Sequence, residues 1–220
     1  MKSSGIKTST VLASFLLAAC LSMRAEVKLP AIFSDGMVMQ QQTIANLWGT
    51  ATPNKKVTVT TGWNGKQYAV TADKNGSWKL SVSTPEAGGP YTITFDDGTQ
   101  KTLNNILIGE LWLCSGQSNM EMPMKGFKNQ PVENANMDIL RSKNLHIRLF
   151  TVKRTSTITP QNDVVGSWKE AAPVSVRDFS ATAYYFGRLV NEILDVPVGL
   201  VVAAWGGSAC EAWMTADWLK

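Results

Sequence analysis

The stretch from Gly109 to Met124 constrains this chain more than any other. Ile106 to Cys114 is a nearly continuous apolar run, interrupted only at Gly109-Glu110, and such a run predicts a strand buried on both faces, as in a parallel sheet. It breaks into Ser115-Gly116-Gln117-Ser118, a strand-ending turn that presents one serine hydroxyl. Ser118 is the candidate nucleophile. Gly116 permits the tight turn and a close substrate approach. Gln117 and Asn119 flank the serine as candidate substrate-binding side chains, and Asn119 and Glu121 are also placed to fix the turn and the start of a helix. A serine hydroxyl needs a base, a group that orients the base, and donors for the oxyanion. The Gly-x-Ser-x-Met pattern departs from the Gly-x-Ser-x-Gly elbow of α/β-hydrolases, so the triplet alone does not define a hydrolase.

Upstream, residues 26–103 read as all-β. Val57 and Val59, Tyr68 and Val70, Trp78, Leu80 and Val82, then Tyr91, Ile93 and Phe95 alternate with polar residues at the period of half-buried strands. Asn64-Gly65, Asn75-Gly76 and Asp97-Gly98 supply hairpin turn chemistry at a spacing that suits a small β-sandwich, and Pro53-Asn54 and Gly88-Gly89-Pro90 are further breaks. This part holds no carboxylate pair, metal-ligand spacing or phosphate-cradling glycine loop. Trp48, Trp63 and Trp78 are readable as core or as a sugar-stacking platform.

Downstream, residues 104–220 change texture. A helix is expected across Val132 to Ser142, and Leu145 to Val152 reads as a strand with a mixed second face. Phe179 to Leu194 places Ala181, Tyr184, Tyr185, Leu189, Ile193 and Leu194 near one helical face, with Ser180 as the cap. Val198 to Ala204 is a second buried-strand run, closed by Trp205-Gly206-Gly207-Ser208. Strand, helix, strand in this order argues for a parallel α/β sheet. Gly206 and Gly207 then fall at the carboxyl end of a parallel strand, the edge where open α/β sheets place their sites, and their N–H groups are candidate oxyanion donors. Glu211 to Lys220 reads as the start of an apolar helix without a stop signal, as in a truncated domain.

Residues 1–25 read as an export signal, with Lys2 and Lys7 ahead of an apolar segment too short to span a bilayer. Cleavage after Ala25 competes with lipid attachment at Cys20 in Leu17-Ala18-Ala19-Cys20. Either reading places the mature chain in the periplasm or outside the cell, with no integral membrane span. Cys114 and Cys210 are then too few for a disulfide framework and read as two buried free thiols, with a single disulfide between them as the alternative in an exported chain. With 44% hydrophobic and 17% charged residues the chain buries a real core. The formal charge of +4 comes from scattered Lys and Arg, a pattern that argues against a nucleic-acid partner.

Gly109-Glu110-Leu111-Trp112-Leu113-Cys114-Ser115-Gly116-Gln117-Ser118-Asn119-Met120-Glu121 closely resembles the first block of the sialate O-acetylesterases, members of the SGNH hydrolase superfamily. Val196 to Leu200 running into Trp205-Gly206-Gly207-Ser208 and Glu211-Ala212-Trp213 resembles their second block, and Leu29 to Gln40 resembles their characteristic start. This resemblance covers essentially the whole mature chain. It implies a β-sandwich followed by the first part of an SGNH-type, flavodoxin-like α/β domain. It further implies Ser118 as nucleophile, the N–H groups of Ser118 and Gly207 as oxyanion donors, and hydrolysis of an O-acetyl ester on a carbohydrate without metal or cofactor.

The third block, of Gln-Gly-Glu-x-Asn type, and the last, with Asp-x-x-His, have no counterpart here. The only histidine, His146, sits in an expected strand beside Arg148, upstream of where the resemblance places a base, and reads as a strand-surface residue. Asp178 and Glu211 are carboxylates with no suitable histidine to orient. The 220 residues by themselves are therefore expected to lack efficient esterase activity. Two other readings stay open: a non-catalytic carbohydrate-binding protein, and an acetyl-xylan esterase.

Overall fold

A computed structural model describes residues 26–219; the export-signal reading and Cys20 lie outside the described residues. In chain order the elements are β1 (Val38–Gln40), β2 (Ile44–Thr50), β3 (Lys56–Thr61), β4 (Gln67–Thr71), β5 (Ser77–Ser83), β6 (Gly88–Asp96) and β7 (Gln100–Gly116). After these come α1 (Ser118–Glu121), α2 (Ala135–Leu140), β8 (Asn144–Thr151), β9 (Trp168–Ala171), α3 (Pro173–Val176), α4 (Ala181–Leu194), β10 (Val198–Ala204) and a 3-10 turn over Cys210–Trp213. The fold is mixed α/β. Eight strands form one mixed sheet in the order β4-β3-β6-β7-β10-β8-β9, with β1 added to β7, and β2 pairs β5 in a separate ribbon.

The long strand β7 organises the molecule. Its first half pairs antiparallel with β6, and its second half, Glu110 to Gly116, pairs parallel with β10, which pairs parallel with β8. The expected division at residues 103 and 104 falls inside this continuous strand. One core lies between the β2–β5 ribbon and the sheet, around Leu47, Val59, Trp78, Ile93, Phe95 and Ile106. A second lies between α4 and the parallel strands, around Ile147, Leu149, Val198, Leu200 and Tyr184. Gly109, where β7 passes from the first core to the second, has the Pro197 carbonyl directly where a β-carbon would stand.

Local chemistry accounts for most boundaries. Gly65, Gly76 and Gly98 take positive φ in the turns that the Asn-Gly and Asp-Gly pairs predict. Ser180 caps α4 by accepting the Ala183 N–H, and Asp195 ends it in the left-handed region. Three expectations are corrected. Gly88-Gly89-Pro90 does not break the chain but begins β6, where irregular pairing with β7 absorbs it. Helix α2 is shorter than Val132 to Ser142. The buried face of α4 is Ala181, Ala183, Tyr184 and Gly187, while Leu189, Ile193 and Leu194 are exposed. Small residues make that face because α4 lies close on β10: a β-carbon at Gly187 would stand 2.5 Å from Leu200 Cδ1.

Strand β7 is also less buried than its apolar run predicts. Trp112 and Leu113, which point to opposite faces of the sheet, are both exposed. Trp112 meets the α4 ring Phe186 edge-on at 5.0 Å. The mixed face of β8 resolves into Arg148, which is buried and makes an ion pair with Glu170 at 3.1 Å and hydrogen bonds to Asn105 and the Leu145 carbonyl. No helix among the described residues is long and apolar enough to cross a membrane.

Candidate active site

The carboxyl ends of β7 and β10 meet side by side, Gly116 opposite Ala204, and the chain leaves each strand through a turn. Strand β7 turns through Gln117 into α1, placing Ser118 at the exposed rim. Strand β10 turns through Trp205, whose N–H donates to the Gly116 carbonyl at 3.0 Å, so the two turns are stitched together. A β-carbon on Gly206 would stand 3.5 Å from Ser118 Oγ and 3.6 Å from its Cα. The structure thus brings Ser118, Gly206 and Gly207 into one place, and glycine at 206 is what lets the turns approach.

The two glycines differ. The Gly206 N–H donates to Glu121 Oε2 at 2.8 Å and is already occupied. Gly207, at φ +77°, has no protein acceptor for its N–H among the described residues and open space around its α-carbon. Glu121 stands one helical turn after Ser118 and reaches across to the second turn, where it also ion-pairs with Arg154. Its reading as a residue at the start of a helix missed this bridge, and Arg154 carried no sequence signal. The three-residue spacing from Ser118 was the available clue, since it places both side chains on the same side of a helical turn.

Gln117 Nε2 lies 3.4 Å from the Ser208 carbonyl, and its Oε1 lies 3.4 Å from Ser118 Oγ, so this side chain spans the two turns at the rim. Asn119 is exposed, and its carbonyl accepts from Thr182 Oγ1 at 3.0 Å. A cleft of about 500 Å³, which Glu121 lines but Ser118 does not, opens between Glu121, Pro123, Lys125, Lys153, Arg154 and Asp178. Lys125 holds the Asp178 carboxyl below its ordinary range by hydrogen bonding and charge, with Arg177 adding to the effect. Burial pushes the Cys114 thiol up, away from the thiolate form that a nucleophile requires. Cys114 and Cys210 are both free thiols, but Cys210 is exposed instead of buried.

His146 lies at the opposite end of the sheet. Its neighbour Ile147 is level with Val198 at the start of β10, whereas Ser118 follows Gly116, level with Ala204 at the end. Six residues of strand separate the two levels, about 20 Å at ~3.3 Å per residue. His146 therefore cannot reach the serine.

These features define a mixed α/β protein with a serine turn and a glycine turn at the carboxyl edge of its parallel strands, and that fold matches a solved carbohydrate acetylesterase. The match is to an enzyme from Xanthomonas citri, with a TM-score of 0.82 and 33% identity over 88% of this chain and 44% of that one. By sequence the chain is homologous to the sialate O-acetylesterases. It is 29% identical to the human protein over 205 residues, 85% of this chain and 38% of the relative. The mouse protein is 32% identical over 203 residues, 84% of this chain and 37% of the relative. The chain thus spans well under half the length of these relatives. No protein-family model matches the sequence.

Proposed function

We propose that this chain is the nucleophile-bearing portion of a carbohydrate O-acetylesterase of SGNH type, with residues 26–103 as an accessory β-sandwich and residues 104–220 as the first part of a flavodoxin-like hydrolase domain. The observation that carries this reading is the junction of the Ser118 turn with the Gly206-Gly207 turn, where a β-carbon on Gly206 would stand 3.5 Å from Ser118 Oγ and the next residue, Gly207, has no protein acceptor for its N–H among the described residues. Ser118 Oγ attacks the acetyl carbonyl carbon, and the carbonyl oxygen takes up charge between the N–H groups of Ser118 and Gly207. The sugar oxygen leaves with a proton, and water then attacks the acetyl-serine to release acetate. Gln117 and Asn119 line the rim where the sugar enters. The serine proton needs an acceptor that His146 does not provide, so the 220 residues alone release acetate poorly.

The test is acetate release from O-acetylated sialic acid and from acetylated xylan, measured on this chain and on the gene product including whatever follows Lys220. The reading expects turnover by the longer product that is abolished by Ser118→Ala, and the preferred substrate assigns the sugar. No turnover by the longer product sinks it in favour of a non-catalytic carbohydrate-binding protein. The export reading predicts a mature amino terminus at Glu26, or a lipid-modified one at Cys20; an unprocessed Met1 in the purified native protein rejects both.

A further inference from the structure

A second cleft, of about 810 Å³, lies against the β2–β5 ribbon. Four separate segments build it: the β2–β5 ribbon, residues 28–30, Asp73 in the turn before β5, and the loop carrying Asn162 and Asp163. The period-2 pattern sorts the ribbon. Leu47, Trp78, Leu80 and Val82 point into the core, while Asn46 and Trp48 stand outward, with Lys79 directly opposite Trp48. Lys28 extends this outward row, because its backbone pairs with Thr50.

Trp48 is the fixed wall of the cleft. Its Nε1–H donates to the Asn162 carbonyl at 3.0 Å, and its ring meets Phe33 edge-on at 4.5 Å and 74°, so the half-buried indole is held in one orientation. Around it stand polar groups with unused capacity. Asp73 accepts two backbone N–H groups at Oδ1, leaving Oδ2 free. Asn46 accepts Ser81 Oγ at Oδ1, leaving its amide N–H₂ to donate. Neither Lys28 nor Lys79 has an ion-pair partner among the described residues. Lys28 and Lys79 line the cleft together with Asp73 and Asp163, so it carries both signs in balance.

We propose that this cleft is a carbohydrate-binding subsite for a neutral glycan chain, distinct from the serine site. A locked indole offers the apolar C–H face of a pyranose ring a flat surface at little entropic cost, and the surrounding donors and acceptors match its hydroxyls. The charge balance disfavours a polyanion, which would leave Asp73 and Asp163 facing like charge. The cleft holds polymer, so substrate is retained near the molecule independently of chemistry at Ser118, and the proposal stands whether or not the serine turns over.

Titration calorimetry of this chain with xylohexaose, and separately with polysialic acid, tests it. Xylohexaose is expected to bind, Trp48→Ala to weaken binding at least about tenfold, and the double variant Asn46→Ala/Lys79→Ala, which touches only exposed side chains, to weaken it several-fold. The double variant keeps the test decisive if loss of Trp48 disturbs the ribbon. Absence of xylohexaose binding, tighter binding of polysialic acid, or affinity unchanged in the double variant would overturn the proposal.

Discussion

Glu121 Oε2 accepts the Gly206 N–H at 2.8 Å, joining the turn that carries the candidate nucleophile to the turn that carries the candidate oxyanion donor. The bond fixes which glycine is available. With the Gly206 N–H committed to a carboxylate, the next N–H, that of Gly207, is the one without a protein acceptor among the described residues. A charge-assisted bond of this kind is stronger than a neutral one, and Arg154 ion-pairs with the same carboxylate.

Glu121→Ala should therefore lower kcat of the proposed esterase by roughly 10- to 100-fold, below the full loss of an oxyanion donor because the donor is displaced and not removed. KM should change little. Glu121→Gln keeps an acceptor oxygen for Gly206 and should recover most of the rate. Equal kcat for Glu121→Ala and the parent, or no recovery with glutamine, would show that the bond does not position the site. These variants are compared in the gene product that includes whatever follows Lys220, where a wholly inactive parent points instead to the serine reading as the error.

The expected strand turn at Ser118, the capped helix α4 and the strand β10 are visible in the structure because each rests on local chemistry: an apolar run, a cap, a glycine turn. What stayed illegible depends on contacts between distant segments. The Glu121 bridge spans 85 positions. Exposure of Leu113 depends on which sheet face the other elements cover, a property of tertiary packing that no periodicity encodes. The face of α4 was legible at Ala181 and Tyr184 but missed at Ala183 and Gly187, because residues this small are weak in any hydrophobicity pattern and win the sheet by being small.

Gly109 is the point where β7 passes between the two cores, and the Pro197 backbone occupies the space a side chain would need. Backbone cannot swing aside as a flexible side chain can. The neighbouring Glu110 N–H to Pro197 carbonyl bond, 2.8 Å, starts the parallel ladder with β10 and would be pushed out with it. Gly109→Ala should cost about 3 kcal/mol, at the upper end for overpacking. Urea unfolding followed by circular dichroism measures it, and a loss under ~0.5 kcal/mol would mean that the strands separate freely there.

Arg148 is a buried cation whose three contacts reach β7, β9 and its own strand. Burial pulls its pKa below the ordinary arginine value, and Glu170 opposes that pull. Arg148→Met keeps the aliphatic bulk but strands the Asn105 and Leu145 oxygens; since Glu170 stays half-exposed and rehydrates, the expected loss is about 2 kcal/mol and not the larger cost of a fully buried broken pair. Arg148→Lys should recover only part, because one ammonium cannot replace the planar fork. Matching stability of the methionine variant and the parent in the same urea assay would remove Arg148 as a tie between strands.

Helices α2 and α4 are tied by a polar cluster in which Asp138 accepts from Tyr185 Oη at 2.7 Å and from Arg188 Nη1 at 2.8 Å. The Tyr185 hydrogen bond, then that of Arg188, hold the Asp138 carboxyl below its ordinary value. Its contribution to stability is present above the unfolded carboxyl pKa and is lost as pH falls through the lower folded value. Tyr185 moves the other way, pushed up to about 12 by desolvation first and by the Asp138 hydrogen bond and charge next. Its contribution is complete below the unfolded phenol value near 10 and is lost as pH rises through the folded one. Asp138→Asn removes the acid-side loss and brings the Tyr185 titration back toward 10. Ultraviolet titration of tyrosinate, with Tyr185→Phe identifying the late-titrating phenol, checks the second effect. Thermal midpoints between pH 2 and 5 check the first, and an unchanged acid slope in the asparagine variant would show that Asp138 does not set it.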